Sequence, residues 1–115
     1  MPFKDARAHL RDIAEGIEQI EEFVAGLDFE GFRDDSKTRA AVERKLMVIS
    51  EAAVRLKDDG EALCPNVPWR DVRGIGNWLR HQYDRVDIET LWNTIQDDLP
   101  VLKIAVNNAL NSLKP

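Results

Sequence analysis

Residues Leu10–Leu27 read LRDIAEGIEQIEEFVAGL, and the spacing within them decides the fold class. Leu10, Ile13, Ile17, Ile20, Val24 and Leu27 recur at alternating intervals of three and four. That rhythm places all six on one stripe of a helix. Glu15, Glu18, Glu21 and Glu22 lie off the stripe and form a solvated face, and Gly26 stands where a helix commonly stops. The rhythm returns downstream. Asp34, Asp35 and Ser36 offer helix caps, and Val42, Leu46, Ile49, Ala53 and Leu56 repeat the four-three pattern, with Met47, Val48 and Val54 widening the apolar face. Asp58-Asp59-Gly60 closes that helix, and residues 58–68, with Gly60, Pro65 and Pro68, are expected to form an irregular connection. Cys64 within it reads as filler, because no neighbouring base or helix start would lower its pKa.

Pro68 suits the first turn of a helix running to about Tyr83. Asp87 caps the next, which begins at Ile88 and carries Leu91, Trp92 and Ile95 inward. Pro100 lacks an amide donor and is expected to break or kink that stretch. Val101, Leu102, Ile104, Ala105, Val106, Ala109, Leu110 and Leu113 supply a final helix. Strand-like alternation, internal repeats and low-complexity segments are all missing from the sequence. The expectation is an all-α chain: an antiparallel bundle of four to five helices in one domain over residues 1–115. The near-heptad stripes of the first two helices suit packing within the chain or a subunit interface. Trp78 and Phe32 carry the same two readings.

Composition narrows the function. A chain of 115 residues holds one ordinary core. A net charge of −5 excludes a generally basic nucleic-acid coat and confines any such contact to a local patch. The lone Cys64 allows no disulfide within the chain and fits a reducing cytoplasm. Two histidines, His9 and His81, and one cysteine cannot assemble a zinc-type site; a carboxylate-only site for a hard cation stays open, although no EF-hand spacing occurs, and neither metal nor cofactor is expected. No apolar run reaches membrane length, and the start MPFKDARAHL lacks the apolar core of a signal peptide.

The segment of residues 69–83 carries the chemistry. At 100° per residue, Trp69, Val72, Ile75, Leu79 and Tyr83 face a core, while Arg70, Arg73, Asn77, Arg80 and His81 share an arc of about 100° with Gly74 at its edge. That arc holds no acid in a chain where acids outnumber bases. Gly74 and Gly76 cost about 1 kcal/mol each in a helix interior, which suits close approach by a neighbouring helix, a partner chain or a ligand. Arginines and an imidazole together suit a phosphodiester. Guanidinium holds phosphate oxygens in pairs and steadies the added charge of a transition state. Imidazole, titrating near neutrality, can take and return a proton. Asn77 lies one turn from His81 and can orient the ring or touch the phosphate.

Pro68-Trp69-Arg70-Asp71-Val72, then Gly74-Ile75-Gly76-Asn77, Leu79-Arg80-His81-Gln82-Tyr83 and Val86-Asp87, resemble the HepT-like branch of the HEPN superfamily. Leu91-Trp92, Asp98-Leu99-Pro100, Ala41-Val42-Glu43-Arg44 and Ile49-Ser50-Glu51-Ala52 extend the likeness over essentially the whole chain. The resemblance implies a homodimeric helical bundle acting as a metal-independent ribonuclease on RNA, the toxin of a toxin–antitoxin pair whose antitoxin is a minimal nucleotidyltransferase. It makes His81 the catalytic histidine and Asn77 the polar residue of the motif. It makes Tyr83 the tyrosine that the partner adenylylates. On the wheel Tyr83 also fits a core position, near enough to the helix end for its hydroxyl to reach solvent.

One position departs from the family pattern. The arginine expected just before Asn77 is Gly76. Arg73 lies upstream, about 12 Å along the helix from His81, and Arg80 directly precedes it. The sequence therefore leaves three functions open: a ribonuclease using His81 with Arg73, Arg80 and Asn77, an inactive relative that only binds RNA or the nucleotidyltransferase, or a purely structural helical dimer. Glu43 and Glu51 read as surface charges or arginine partners.

Overall fold

The two long apolar stripes face each other in the computed structural model, which describes residues 3–81 and 87–113. They belong to α1 (Lys4–Val24) and α3 (Ser36–Leu56), which pack along their lengths. Leu10, Ile13, Ile17 and Ile20 of α1 and Val42, Leu46 and Ile49 of α3 are wholly buried. Where the helices come closest, a Cβ added at Gly16 would stand 2.9 Å from Ile49 Cγ1. The stripe weakens at its ends. Leu27 is only half-buried, and Val54, expected to widen the buried face of α3, is 48% exposed.

α1 stops as the spacing predicts: Gly26 adopts φ +79°, the left-handed conformation that glycine tolerates. A short α2 (Phe29–Asp34), unforeseen in the sequence, follows; the Asp28 carboxylate accepts from the Gly31 N–H at 2.8 Å. Phe32 of α2 is fully buried and stacks near Trp92, with ring centroids 5.2 Å apart, which places Phe32 in the core. Asp35 caps α3, accepting from the Thr38 N–H at 3.0 Å and its hydroxyl at 2.6 Å.

Lys57, at φ +53°, turns the chain into α4 (Asp58–Leu63), so part of the expected irregular connection is helical. Asp58, Asp59 and Glu61 in its first turn complement the positive helix end. α5 (Trp69–His81) begins immediately after Pro68 and is pinned to this connection, because the Trp69 indole donates to the Cys64 carbonyl at 2.9 Å. Asp87 caps α6 (Ile88–Asn93) through the Glu89 N–H, at 3.0 Å. Of the break or kink expected at Pro100, the break does not occur. A π-helical stretch, Thr94–Asp98, leads into α7 (Leu99–Ser112). There the Leu99 N–H reaches back to the Thr94 carbonyl, and this wider turn accommodates a ring that has no amide to donate.

The result is the all-α, HEPN-like bundle that the sequence predicts, with one apolar core running from Ala6 to Ala109. No helix among the described residues is long and apolar enough to cross a membrane.

Candidate functional site

α5 turns its own backbone toward α3. Its buried positions are Trp69, Val72, Gly76 and Leu79, while Ile75 and Trp78 are half-buried. The junction is Ser50, a buried hydroxyl that donates to the Arg73 carbonyl at 2.8 Å and accepts from the Gly76 N–H at 3.0 Å. A Cβ at Gly76 would stand 2.9 Å from Ser50 Oγ. A side chain at this position must displace the Ser50 hydroxyl from its two hydrogen bonds or shift the helices, so the glycine at residue 76 suits the packing of α3 on α5. Gly74 is different. A Cβ there meets nothing within 4 Å, and no packing within the described chain requires a glycine.

The structure separates the residues that the wheel put on one arc. Arg73 turns toward α3 and α4. Its Nη1 and Nη2 donate to the two Glu61 carboxylate oxygens at 2.7 and 2.6 Å, Nη2 also donates to the Lys57 carbonyl at 2.7 Å, and Nε donates to the Ala53 carbonyl at 3.2 Å. The guanidinium carbon also lies 5.8 Å from the Trp69 ring centroid. The hydrogen bond from Arg73 holds the Glu61 carboxyl below the usual carboxylate range, and the same contact pushes the Arg73 guanidinium up. Arg73 thus ties the C-terminal end of α3, α4 and α5 together. The acid missing from the arc arrives from α4.

Arg80 is exposed and lies back over Gly76, its Nη1 3.4 Å from where a Cβ at 76 would sit. Its guanidinium therefore stands beside the position at which the family pattern places an arginine. It has no carboxylate partner among the described residues. Asn77 and His81 are exposed on the outward face of α5. Tyr83 lies outside the described residues. Glu51 pairs with Arg55 of its own helix at 3.1 Å, and burial pushes the Glu43 carboxyl up. Cys64 is buried and its thiol is likewise pushed up by burial, as an inert thiol would be. Among the described residues no three His, Cys, Asp or Glu side chains converge as metal ligands would.

Two residues central to this arrangement had no role in the sequence reading. Ser50 carried a signal, a hydroxyl between Ile49 and Ala53 on the buried stripe. Glu61 carried none, standing in a stretch expected to be irregular.

The comparison with known proteins places the chain in a family. Residues 13–109 match the family model described as ribonuclease HepT-like. The chain belongs to that family. HepT-like relatives span its length. A Thermococcus cleftensis protein named as a probable ribonuclease HepT is 44% identical over 95 residues, covering 83% of this chain and 86% of that one. A Methanocaldococcus jannaschii protein named as a candidate RNase is 35% identical over 103 residues, 90% of this chain and 94% of its own. Another candidate RNase, from Caldanaerobacter subterraneus, is 32% identical over 111 residues, 96% and 99% of the two chains. No solved structure gives a significant match.

Proposed function

We propose that this HepT-like protein is an endoribonuclease that cleaves RNA through the ribose 2′-hydroxyl, with His81 as acid and base. The imidazole takes the 2′-hydroxyl proton as that oxygen bonds to phosphorus. It returns the proton to the departing 5′-oxygen as the old phosphorus–oxygen bond breaks, leaving a cyclic phosphate and a free 5′-hydroxyl. Arg80 steadies the charge gathered on the phosphate oxygens, and Asn77, one turn from His81, orients the ring or the phosphate. Arg73, held by Glu61 and two carbonyls, keeps α5 in place and stays outside the chemistry. The observation that carries the reading is the Arg80 guanidinium beside residue 76, next to an outward-facing Asn77 and His81. The mechanism routes no step through a metal.

The same reading makes the chain the toxin of a pair, acting in the cytoplasm as a homodimer, with a minimal nucleotidyltransferase as antitoxin and Tyr83 as the residue it adenylylates. Val101 and Ile104 of α7, 67% and 64% exposed, offer an apolar surface for such an assembly. The test is RNA cleavage in excess chelator by the native chain and His81→Ala. Loss of about 10²–10⁴ in rate with an unchanged unfolding midpoint supports the assignment; cleavage by His81→Ala at the native rate removes it. The packing of Gly76 against Ser50 favours a second reading, an inactive module that binds RNA or the nucleotidyltransferase. In that case no chain cleaves, and Arg80→Ala weakens binding where His81→Ala does not.

A further inference from the structure

Away from the outward face of α5, an ordered set of charged side chains lies along α3. Arg44, Val48, Glu51 and Arg55 follow at intervals of four, three and four, so they share one face of that helix. From Arg44 to Arg55 the stripe extends about 16 Å. α1 adds His9 and Asp12, and α5 adds Arg80. Together with Met47 and Ala52 these residues line an open groove of about 370 Å³, within the roughly 300–1,000 Å³ of ligand sites.

The charges in this groove are unlike those of the chain as a whole. Three arginines face two carboxylates in a protein of net charge −5. Of those carboxylates, Glu51 is engaged by Arg55 at 3.1 Å in an exposed pair, the kind that is held weakly and exchanged readily for another anion. Arg44 and Arg80 have no carboxylate partner among the described residues. No Phe, Tyr or Trp lines the groove and the His9 imidazole is the one ring among its described residues, so base stacking has at most one small platform there and recognition falls mainly to backbone phosphates, which position without reading sequence. Arg80 belongs both to this groove and to the surroundings of His81.

We propose that this groove holds the single-stranded RNA backbone flanking the scissile phosphate, with Arg44 and Arg55 as positioning residues, an inference that rests on the ribonuclease reading. Its test uses the full chain and a short fluorescein-labelled single-stranded RNA made with 2′-O-methyl ribose, which lacks the attacking hydroxyl and stays intact. Anisotropy titrations from about 50 to 200 mM salt give the affinity and its salt slope. For Arg44→Gln and for Arg44→Gln/Arg55→Gln, affinity falls and the slope becomes shallower by about 0.7 for each arginine removed. With cleavable RNA, Arg44→Gln raises KM while kcat at saturation is kept. Unchanged affinity and slope in a double variant that melts like the native chain overturns the proposal. So does poly-glutamate displacing the RNA as well as unlabelled RNA does, which would mark the groove as a surface for an acidic protein. The two readings fail separately. Cleavage surviving His81→Ala removes the catalytic assignment and leaves the groove standing, whereas normal binding by the arginine variants, with cleavage still dependent on His81, removes the groove alone.

Discussion

The two ends of α5 carry arginines of nearly the same orientation and put them to different uses. Arg73 and Arg80 lie about 20° apart on the helical wheel but about 10 Å apart along the axis. At the N-terminal end Arg73 meets α4 and the end of α3. It finds a carboxylate and two carbonyls there, so four of its five N–H donors are satisfied within the chain. At the C-terminal end α4 is out of reach, and Arg80 lies over Gly76 facing an open groove. Position along the axis, which a wheel does not display, separates an arginine that holds the fold from one left free to meet an anion.

That contrast is open to breaking. Arg73→Ala removes a bidentate ion pair and the Arg73 donor to the Ala53 carbonyl, while the Lys57 carbonyl keeps the Gly60 N–H at 3.3 Å. With the ion pair screened by solvent and the Ala53 bond only partly buried, the substitution should cost about 1–2 kcal/mol in urea unfolding, and a loss under about 0.5 kcal/mol, the level of an ordinary surface change, would deny Arg73 its structural part. Gly76→Ala forces a Cβ to within 2.9 Å of Ser50 Oγ. Overpacking of about 1–3 kcal/mol, offset by the gain in helix propensity of about 1 kcal/mol, leaves a net loss of about 1 kcal/mol. Because both residues meet at one contact, the Ser50→Ala/Gly76→Ala pair should cost less than the sum of its singles. Additive losses would mean that the contact does not set the spacing of α3 and α5.

Gly74→Ala should act in the opposite direction. A Cβ there meets open space, so helix propensity alone should stabilise the chain by about 0.5–1 kcal/mol; destabilisation would reveal a contact at this face. The smallest effect concerns acid. The Glu61 carboxyl is held below its ordinary value by Arg73. Its contribution is therefore complete above the ordinary carboxylate range and is lost as pH falls through the lowered native value. Glu61→Gln should flatten the acid limb of the stability profile and leave its neutral shape alone, as thermal melts across pH would show.

What the sequence made legible was whatever repeats. The six-residue stripe from Leu10 and the five-residue stripe from Val42 mark the faces on which α1 and α3 meet, because a 3.6-residue period sustained over several turns has one physical solution. α2 and α4 are six residues each, too short to display a period, and they were missed for that reason. The π-helical stretch was half legible: the difficulty at Pro100 could be read, but its resolution by a wider turn depended on the Leu99–Thr94 hydrogen bond. At the site, close helix packing was among the readings open for Gly76, and Ser50 supplies it. The fate of Arg73 could not be read, because its partner comes from a segment with no pattern to place it. Tertiary neighbours, rather than residue type, decide where a guanidinium goes.

The central claim is that Arg80 serves the phosphate while Arg73 serves the fold. Single-turnover cleavage of RNA by Arg80→Ala and Arg73→Ala, each held well below its unfolding midpoint, compares them directly. The account predicts that Arg80→Ala keeps its native midpoint and loses about 10²–10³ in rate, while Arg73→Ala melts early and cleaves at close to the native rate. A folded Arg73→Ala without activity beside a fully active Arg80→Ala would contradict it.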